Sequence, residues 1–365
     1  MMGDDTMVIQ RQRSAPCGST EQAGFTLVEL MVGMIVAAVI VAAGFTILTT
    51  TNKSLQANEQ IVDMQQNVRM AMEMLTRDIK SAGFGSPGVA IGNCTNAIVP
   101  GDQNPFGIDT GPDSLQLLVP VTRASGTNRW TLSAPTASSG ATTITLQPGA
   151  VTDMVNSGLV ANQSYISIGG AATVLVTGLN TSASTLTVLI PPPLWFQMAD
   201  QVYLLQCMRY QIVLPPDATN ICGGNAPCLT RGVAGVVTGP NAEGPIADGV
   251  EDLQLAYACD GCVTAINSGI PDRIIDDQNG SGSFDQADFL SNVPWTAAPL
   301  TSDKIQLVQV ALVVRQSKND QGFGEGVAST GSPPLTVTSD RSLPADSNHR
   351  RRVLVRTVET RNVGL

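Results

Sequence analysis

Histidine is nearly missing from this sequence: His349 is the single one in 365 residues. A Ser-His-Asp triad would have to use it beside Arg350, Arg351 and Arg352, where it reads as a solvated residue at the entry to a strand. We therefore expect no catalytic residue and no enzyme. Basic residues are also scarce, 20 Lys and Arg against 30 Asp and Glu, for a net charge of -10. That balance excludes a sequence-independent grip on nucleic acid, which is made by neutralising phosphates. The strings Ile168-Gly169-Gly170 and Gly223-Gly224 lack a following P-loop lysine and read as turns. Aromatics are 4% and charged residues 14% of the chain, which is rich in Gly, Thr, Ser, Val and Ala. This suits a β-rich extracytoplasmic domain better than a helical cytosolic enzyme.

Proline is absent from Phe25 until Pro87. From Phe25 to Leu48 the only charge is Glu29, so this run is long and apolar enough to cross a bilayer core of roughly 30 Å. Arg11 and Arg13 precede it and Lys53 follows, a slight bias that places the N-terminus in the cytoplasm and the rest outside. An ordinary signal peptide fits poorly, because the run exceeds an h-region, carries an acid and lacks a small-x-small cleavage site. A carboxylate inside such a span costs about 2.5–3.5 kcal/mol and calls for a partner or a function. The bland alternative is a Glu near the helix end that snorkels to the interface.

The string Gly24-Phe25-Thr26-Leu27-Val28-Glu29 resembles the processing site of type IV prepilins and type II secretion pseudopilins. The resemblance implies a leader over residues 1–24 and cleavage after Gly24 by a prepilin peptidase. It also implies N-methylation of Phe25, and a role for Glu29 as the carboxylate that pairs with the Phe25 amine of a neighbouring subunit. The segments Gln66–Arg69 and Leu75–Gly85 resemble the helix end of the PilW minor pilins. Ile246–Tyr257 and Arg350–Val363 resemble that family's later strands. A minor pilin of this kind is expected as a single-pass inner-membrane protein with a periplasmic head. It then joins other minor pilins and the major pilin through its N-terminal helix, in a priming complex at the pilus tip. The alternatives are a type II secretion pseudopilin of the J type and a membrane-tethered adhesion module.

The fold expected is α+β and pilin-like, a long N-terminal helix on an antiparallel β-rich head. Residues 25–48 form its membrane half and 49–83 an amphipathic half. In the latter, Ile61, Met64, Val68, Met72, Leu75 and Ile79 recur at spacings of three and four, and Glu73 and Arg77 stand at the spacing of a helical ion pair. The head covers 84–365. Ala141–Leu146, Tyr165–Ile168, Leu186–Ile190, Val202–Leu214, Ile305–Arg315 and Arg352–Thr360 read as strands. Low charge and abundant Thr, Ser and Gly mark an inserted β-subdomain at about 126–190, and Gln316–Asp346 reads as a surface loop.

Of the seven cysteines, Cys17 falls in the leader. Cys94, Cys207, Cys222, Cys228, Cys259 and Cys262 remain, and an oxidising periplasm favours disulfides. Fifteen pairings are open; the local pairs Cys222 with Cys228 and Cys259 with Cys262, leaving Cys94 for Cys207, are favoured. A redox motif or half a zinc site is the alternative for Cys259-Asp260-Gly261-Cys262. No cofactor is required, but Asp277, Asn279, Ser281, Ser283, Asp285 and Asp288 follow the spacing of a Ca2+ loop, with Gly282 at the sharp turn. Ser281 and Asp288 depart from the usual residues, and a solvated acidic loop is the alternative.

Overall fold

The computed structural model describes residues 24–363 apart from 86–89, 105–108, 122–128, 137–139, 216–220, 223, 225, 234–235, 237–241, 263–269, 317–334, 339–340 and 344–348. Arg11, Arg13 and Cys17 lie outside the described residues. The chain divides into two compact units, Met1–Leu55 and Gln56–Leu365.

A single helix, α1, runs from Leu27 to Ser81. Within the first unit its most apolar stretch has no buried residue. Thr46, Thr50 and Thr51 return their hydroxyls to the carbonyls of Ala42, Thr46 and Ile47 at 2.7–2.9 Å. The helix backbone thus satisfies these groups without water.

In the second unit α1 shows one buried face, formed by Met64, Val68, Ala71, Met72, Leu75, Thr76, Asp78 and Ile79. The apolar members lie on the stripe expected from the spacing, because residues three and four apart share a helix face. Ile61, the first residue of that stripe, is only half-buried. Arg77 lies 3.5 Å from Asp78 and does not pair with Glu73 as the spacing suggested.

The head begins with β1 (Ile98–Gly101), β2 (Ser114–Pro120), β3 (Trp130–Thr131) and β4 (Thr143–Thr145), followed by the short α2 (Ala150–Asn156). Next come β5 (Tyr165–Ile168), β6 (Ala172–Asn180), β7 (Thr185–Val188), β8 (Gln201–Val213), β9 (Cys228–Val233) and β10 (Gly244–Asp248). These ten strands form one sheet with the path β1-β2-β8-β5-β6-β7-β4, in which β3 and β9 also pair with β8 and β10 pairs with β9. All its pairings are antiparallel.

The chain continues through β11 (Val250–Cys259), β12 (Thr296–Ala297), β13 (Leu300–Thr301), β14 (Ile305–Arg315), β15 (Leu335–Thr338), β16 (Arg341–Leu343) and β17 (Arg351–Glu359). A second antiparallel sheet has the order β11-β14-β17. The stretch expected as a surface loop between Gln316 and Asp346 contains the β15–β16 hairpin. Its neighbours at 317–334 lie outside the described residues.

One core joins the buried stripe of α1 to Leu115, Leu117 and Tyr210 of the large sheet and to Leu253, Leu255 and Leu312 of the small one. Leu75 and Ile79 are fully enclosed in it, and each such side chain contributes about 1.5–3 kcal/mol relative to exposure. A separate core gathers Trp130, Leu132, Met154, Ile166, Leu186 and Leu204 under the low-charge stretch of sequence. There α2 supplies Val151 and Met154, a helix that the pattern of short β runs did not suggest.

Candidate functional site

The N-terminal site is built from the first helical turn outward. Gly24, Phe25 and Thr26 precede α1, and the Thr26 carbonyl accepts the first helical hydrogen bond, from Leu30 N–H at 3.2 Å. The Thr26 hydroxyl also accepts from the backbone N–H of Glu29 at 3.3 Å. This is half of a capping box, in which a threonine satisfies an orphan N–H three residues on. The cap starts the helix immediately after Phe25 and fixes Glu29 in its first turn. Phe25 is 82% exposed and Glu29 is also exposed. A Cβ added at Gly24 meets no atom within 4 Å. The glycine is therefore not demanded by packing in this chain.

The other end of α1 is fastened by charge. Asp78 is 4% exposed. Its Oδ2 accepts from the Tyr210 hydroxyl at 2.6 Å and from Arg231 Nε at 2.8 Å, and Arg231 also donates to the Tyr210 oxygen at 3.0 Å. Burial pushes the Tyr210 phenol well above its ordinary range, and the adjacent Asp78 charge adds to the effect. Burial works against the charge on Arg231, but Tyr210 and Asp78 outweigh it. No local pattern of residues announces this triad. Its members lie on α1, β8 and β9, far apart in the chain.

Beyond Ser81 the chain turns at Gly83 with φ +79°, and its N–H donates to Leu118 O at 2.9 Å. A Cβ there would lie 2.6 Å from Asn362 O and 2.8 Å from Ala97 Cβ. Asn362 in turn donates from Nδ2 to Lys80 O at 3.5 Å. The helix-end segment and the C-terminal segment quoted above therefore close on each other.

Disulfides join Cys94 to Cys207, Cys222 to Cys228 and Cys259 to Cys262, with Cα–Cα distances of 5.5, 5.8 and 6.1 Å. In the acidic loop the carboxylate of Asp277 accepts the N–H groups of Gly280, Ser281 and Gly282. These backbone donors hold Asp277 below the usual carboxylate range. Asp288 accepts from Gln278, Asn279 and Asp285. Asn279 and Asp285 are joined at 3.2 Å, and Ser281 donates to the Ser283 carbonyl at 2.8 Å. The loop thus closes on its own backbone. Among the described residues, Asp277, Asp285 and Asp288 are not one of the carboxylate groups whose oxygens converge within 4.8 Å.

Comparison with known proteins completes the site. Residues 20–46 match the prokaryotic N-terminal methylation motif, and residues 218–362 match the family described as Type IV Pilus-assembly protein W, PilW. These matches support a type IV minor pilin of the PilW family. The methylation motif covers Gly24, Phe25, Thr26 and Glu29, and the PilW match covers Arg231, β11, β14, β17 and Asn362. The second match favours a pilus minor pilin over a type II secretion pseudopilin. A solved structure, a type IV-like pilin TTHA1219 from Thermus thermophilus, is 12% identical, covering 82% of this chain and 98% of that one at a TM-score of 0.30. No curated protein sequence matches the chain. Pilins of this family are structural subunits, and the N-terminal apolar helix and methylation motif of this chain fit membrane anchoring and a pilus.

Proposed function

We propose that this PilW-family pilin is cut between Gly24 and Phe25 by a prepilin peptidase, methylated on Phe25, and held in the inner membrane by α1. Its head faces the periplasm until it enters a priming complex with other minor pilins at the pilus tip, and it carries out no catalysis. The observation that carries this reading is the capped start of α1. Thr26 begins the helix one residue after the scissile bond, and Glu29 is the single charge between Phe25 and Leu48, a stretch whose large apolar side chains are exposed.

Three consequences support assembly by packing. An apolar helix with no buried side is stable only in lipid or among other apolar helices. A lone carboxylate in that setting is expensive unless a cation meets it. The new N-terminal amine of a neighbour supplies that cation at the same depth, so subunits out of register lose the pair. The acidic loop around Asp277 is proposed as a weaker accessory: its spacing suits Ca2+, and an ion there would clamp a loop of the head.

The test is Glu29→Ala in the native membrane. Glu29 is exposed, so the head should fold and be processed as before while recovery in sheared filaments falls at least tenfold. Normal incorporation of that variant would remove the pairing role.

A further inference from the structure

At the end of α1 remote from Glu29, a groove of about 430 Å³ lies between the last turns of the helix and the C-terminal segment. Arg77, Lys80, Arg356 and Arg361 line it, with Glu73 as the acidic member of the lining. Four cations gathered at one place need a reason on a chain whose net charge is -10. Arg77 and Lys80 belong to the last turns of α1, where basic side chains offset the negative end of the helix dipole. That accounts for two of the four. Arg356 comes from β17, the last strand in the order of the small sheet, and pairs across it with Val310. Residues directly opposite share a face of a sheet, and Val310 belongs to the core built on α1. Arg356 therefore stands on the α1 side of β17, yet is exposed. Arg361 follows the strand and is exposed too, and its neighbour Asn362 is tied to Lys80 O.

The protein does not neutralise these charges itself. The ion pairs among the described residues include neither Lys80, Arg356, Arg361 nor Glu73. Arg77 has the 3.5 Å approach to Asp78, a carboxylate that already holds Tyr210 and Arg231. The lining also contains an unused donor. Thr76 belongs to it and is 5% exposed, and its hydroxyl has no hydrogen-bond partner. Thr46, Thr50 and Thr51 of the same helix return their hydroxyls to carbonyls one turn back, whereas Thr76 does not. A buried hydroxyl left in this way costs the desolvation of an unmade bond.

We infer that the groove between the end of α1 and β17 binds a phosphate group, free or carried on a larger molecule. Guanidinium forks and an ammonium match phosphate oxygens through charge-assisted hydrogen bonds, and a threonine hydroxyl donates to a further oxygen. The donors come from two sides, α1 and β17. That suits a group with oxygens on several sides better than a planar carboxylate, which a single guanidinium can hold. A phosphate monoester carries about −1.5 to −2 charges at neutral pH, so it answers several of the cations at once. Charges of one sign along a cleft also concentrate their field inside it. The volume leaves room for part of a body that carries the phosphate. The site is separate from the residues around Gly24 and Glu29 and stands whether or not they serve in assembly.

The experiment is calorimetry on the full mature chain in detergent with inorganic phosphate, glucose 6-phosphate and acetate, at constant ionic strength because salt screens exposed charges. Both phosphates should bind, and acetate should bind far more weakly. Equal affinity for the two phosphates assigns the groove to the free ion, and tighter glucose 6-phosphate assigns it to a phosphate carried on a larger molecule. Arg356→Gln and Arg361→Gln, both at exposed positions, should each weaken phosphate binding about tenfold through the loss of charge-assisted bonds. Thr76→Val keeps the shape and removes the donor, and should weaken binding severalfold; the two arginine variants carry the test should it fail to fold. Arg352→Gln, exposed on the same strand but outside the groove lining, should leave binding unchanged. A parent chain that binds neither phosphate would overturn the inference. So would acetate binding as tightly as phosphate, or full affinity in both Arg356→Gln and Arg361→Gln. A loss in Arg352→Gln as large as in Arg356→Gln would overturn it too, by reducing the effect to general positive charge.

Discussion

The Tyr210 hydroxyl donates to Asp78 across 2.6 Å, joining residues 132 positions apart at the point where the amphipathic half of α1 meets the large sheet. Arg231 closes the triangle on both of them. Removing one member of a buried ionic group strands the others without water. Asp78→Ala should therefore destabilise the head by about 3–5 kcal/mol. Tyr210→Phe, which deletes one hydrogen bond and leaves the ion pair, should cost about 1–2 kcal/mol. Urea unfolding of the full chain, monitored on the head's tryptophans, checks both. Equal effects from the two substitutions would show that the triad is not organised around the carboxylate.

Gly83 is constrained twice, by its positive φ and by the approach of Asn362 O and Ala97 Cβ. Gly83→Ala should destabilise the head by more than about 1 kcal/mol, because the backbone conformation and the contact both oppose a Cβ. Gly24 has neither constraint. A shift in thermal midpoint for the first substitution and none for the second distinguishes them.

For that reason Gly24→Ala separates folding from processing. The variant should retain the helix and head of the parent, yet accumulate with its leader attached, since the cleavage machinery and not this chain's packing requires the glycine. Electrophoretic mobility in the native membrane, beside the parent chain, gives the answer. Complete maturation of Gly24→Ala would contradict the proposed cleavage site.

The three disulfides should differ in weight according to the chain they close. Cys94–Cys207 spans 113 positions, Cys222–Cys228 spans 6 and Cys259–Cys262 spans 3. Loop-closure entropy grows with the logarithm of that span. Replacing Cys94 and Cys207 together by serine should lower stability by about 2–5 kcal/mol, and replacing Cys259 and Cys262 by less. Denaturant midpoints of the two double variants make the comparison.

Much of this architecture is written locally. The stripe from Met64 to Ile79 is legible because one helix face must be apolar to be buried. Tyr165–Ile168 and Ile305–Arg315 are legible because β-branched and apolar residues run between turn residues. β6 hides its strand character: Gly178 and Asn180 look like turn residues, and the register shifts between Val176 and Gly178. The short α2 is hidden for a related reason, as it lies between β runs and starts at Gly149 in a left-handed conformation. The N-terminal site could be read directly because Gly24 to Glu29 are contiguous. Asp78 could not, since a carboxylate beside Arg77 looks like an ordinary solvated helix residue until Tyr210 and Arg231 arrive from other strands. Asp113 was silent for the same reason, since only its hydrogen bonds with Leu253 and Leu255 show that it is buried against β11.

The central claim, a pilin processed between Gly24 and Phe25 and built into a filament through Glu29, is tested most directly by mass spectrometry of the mature protein's N-terminal peptide from the native membrane. The account predicts a peptide that begins with N-methylated Phe25. A mature chain that keeps its leader, or one cut beyond Leu48, would contradict it.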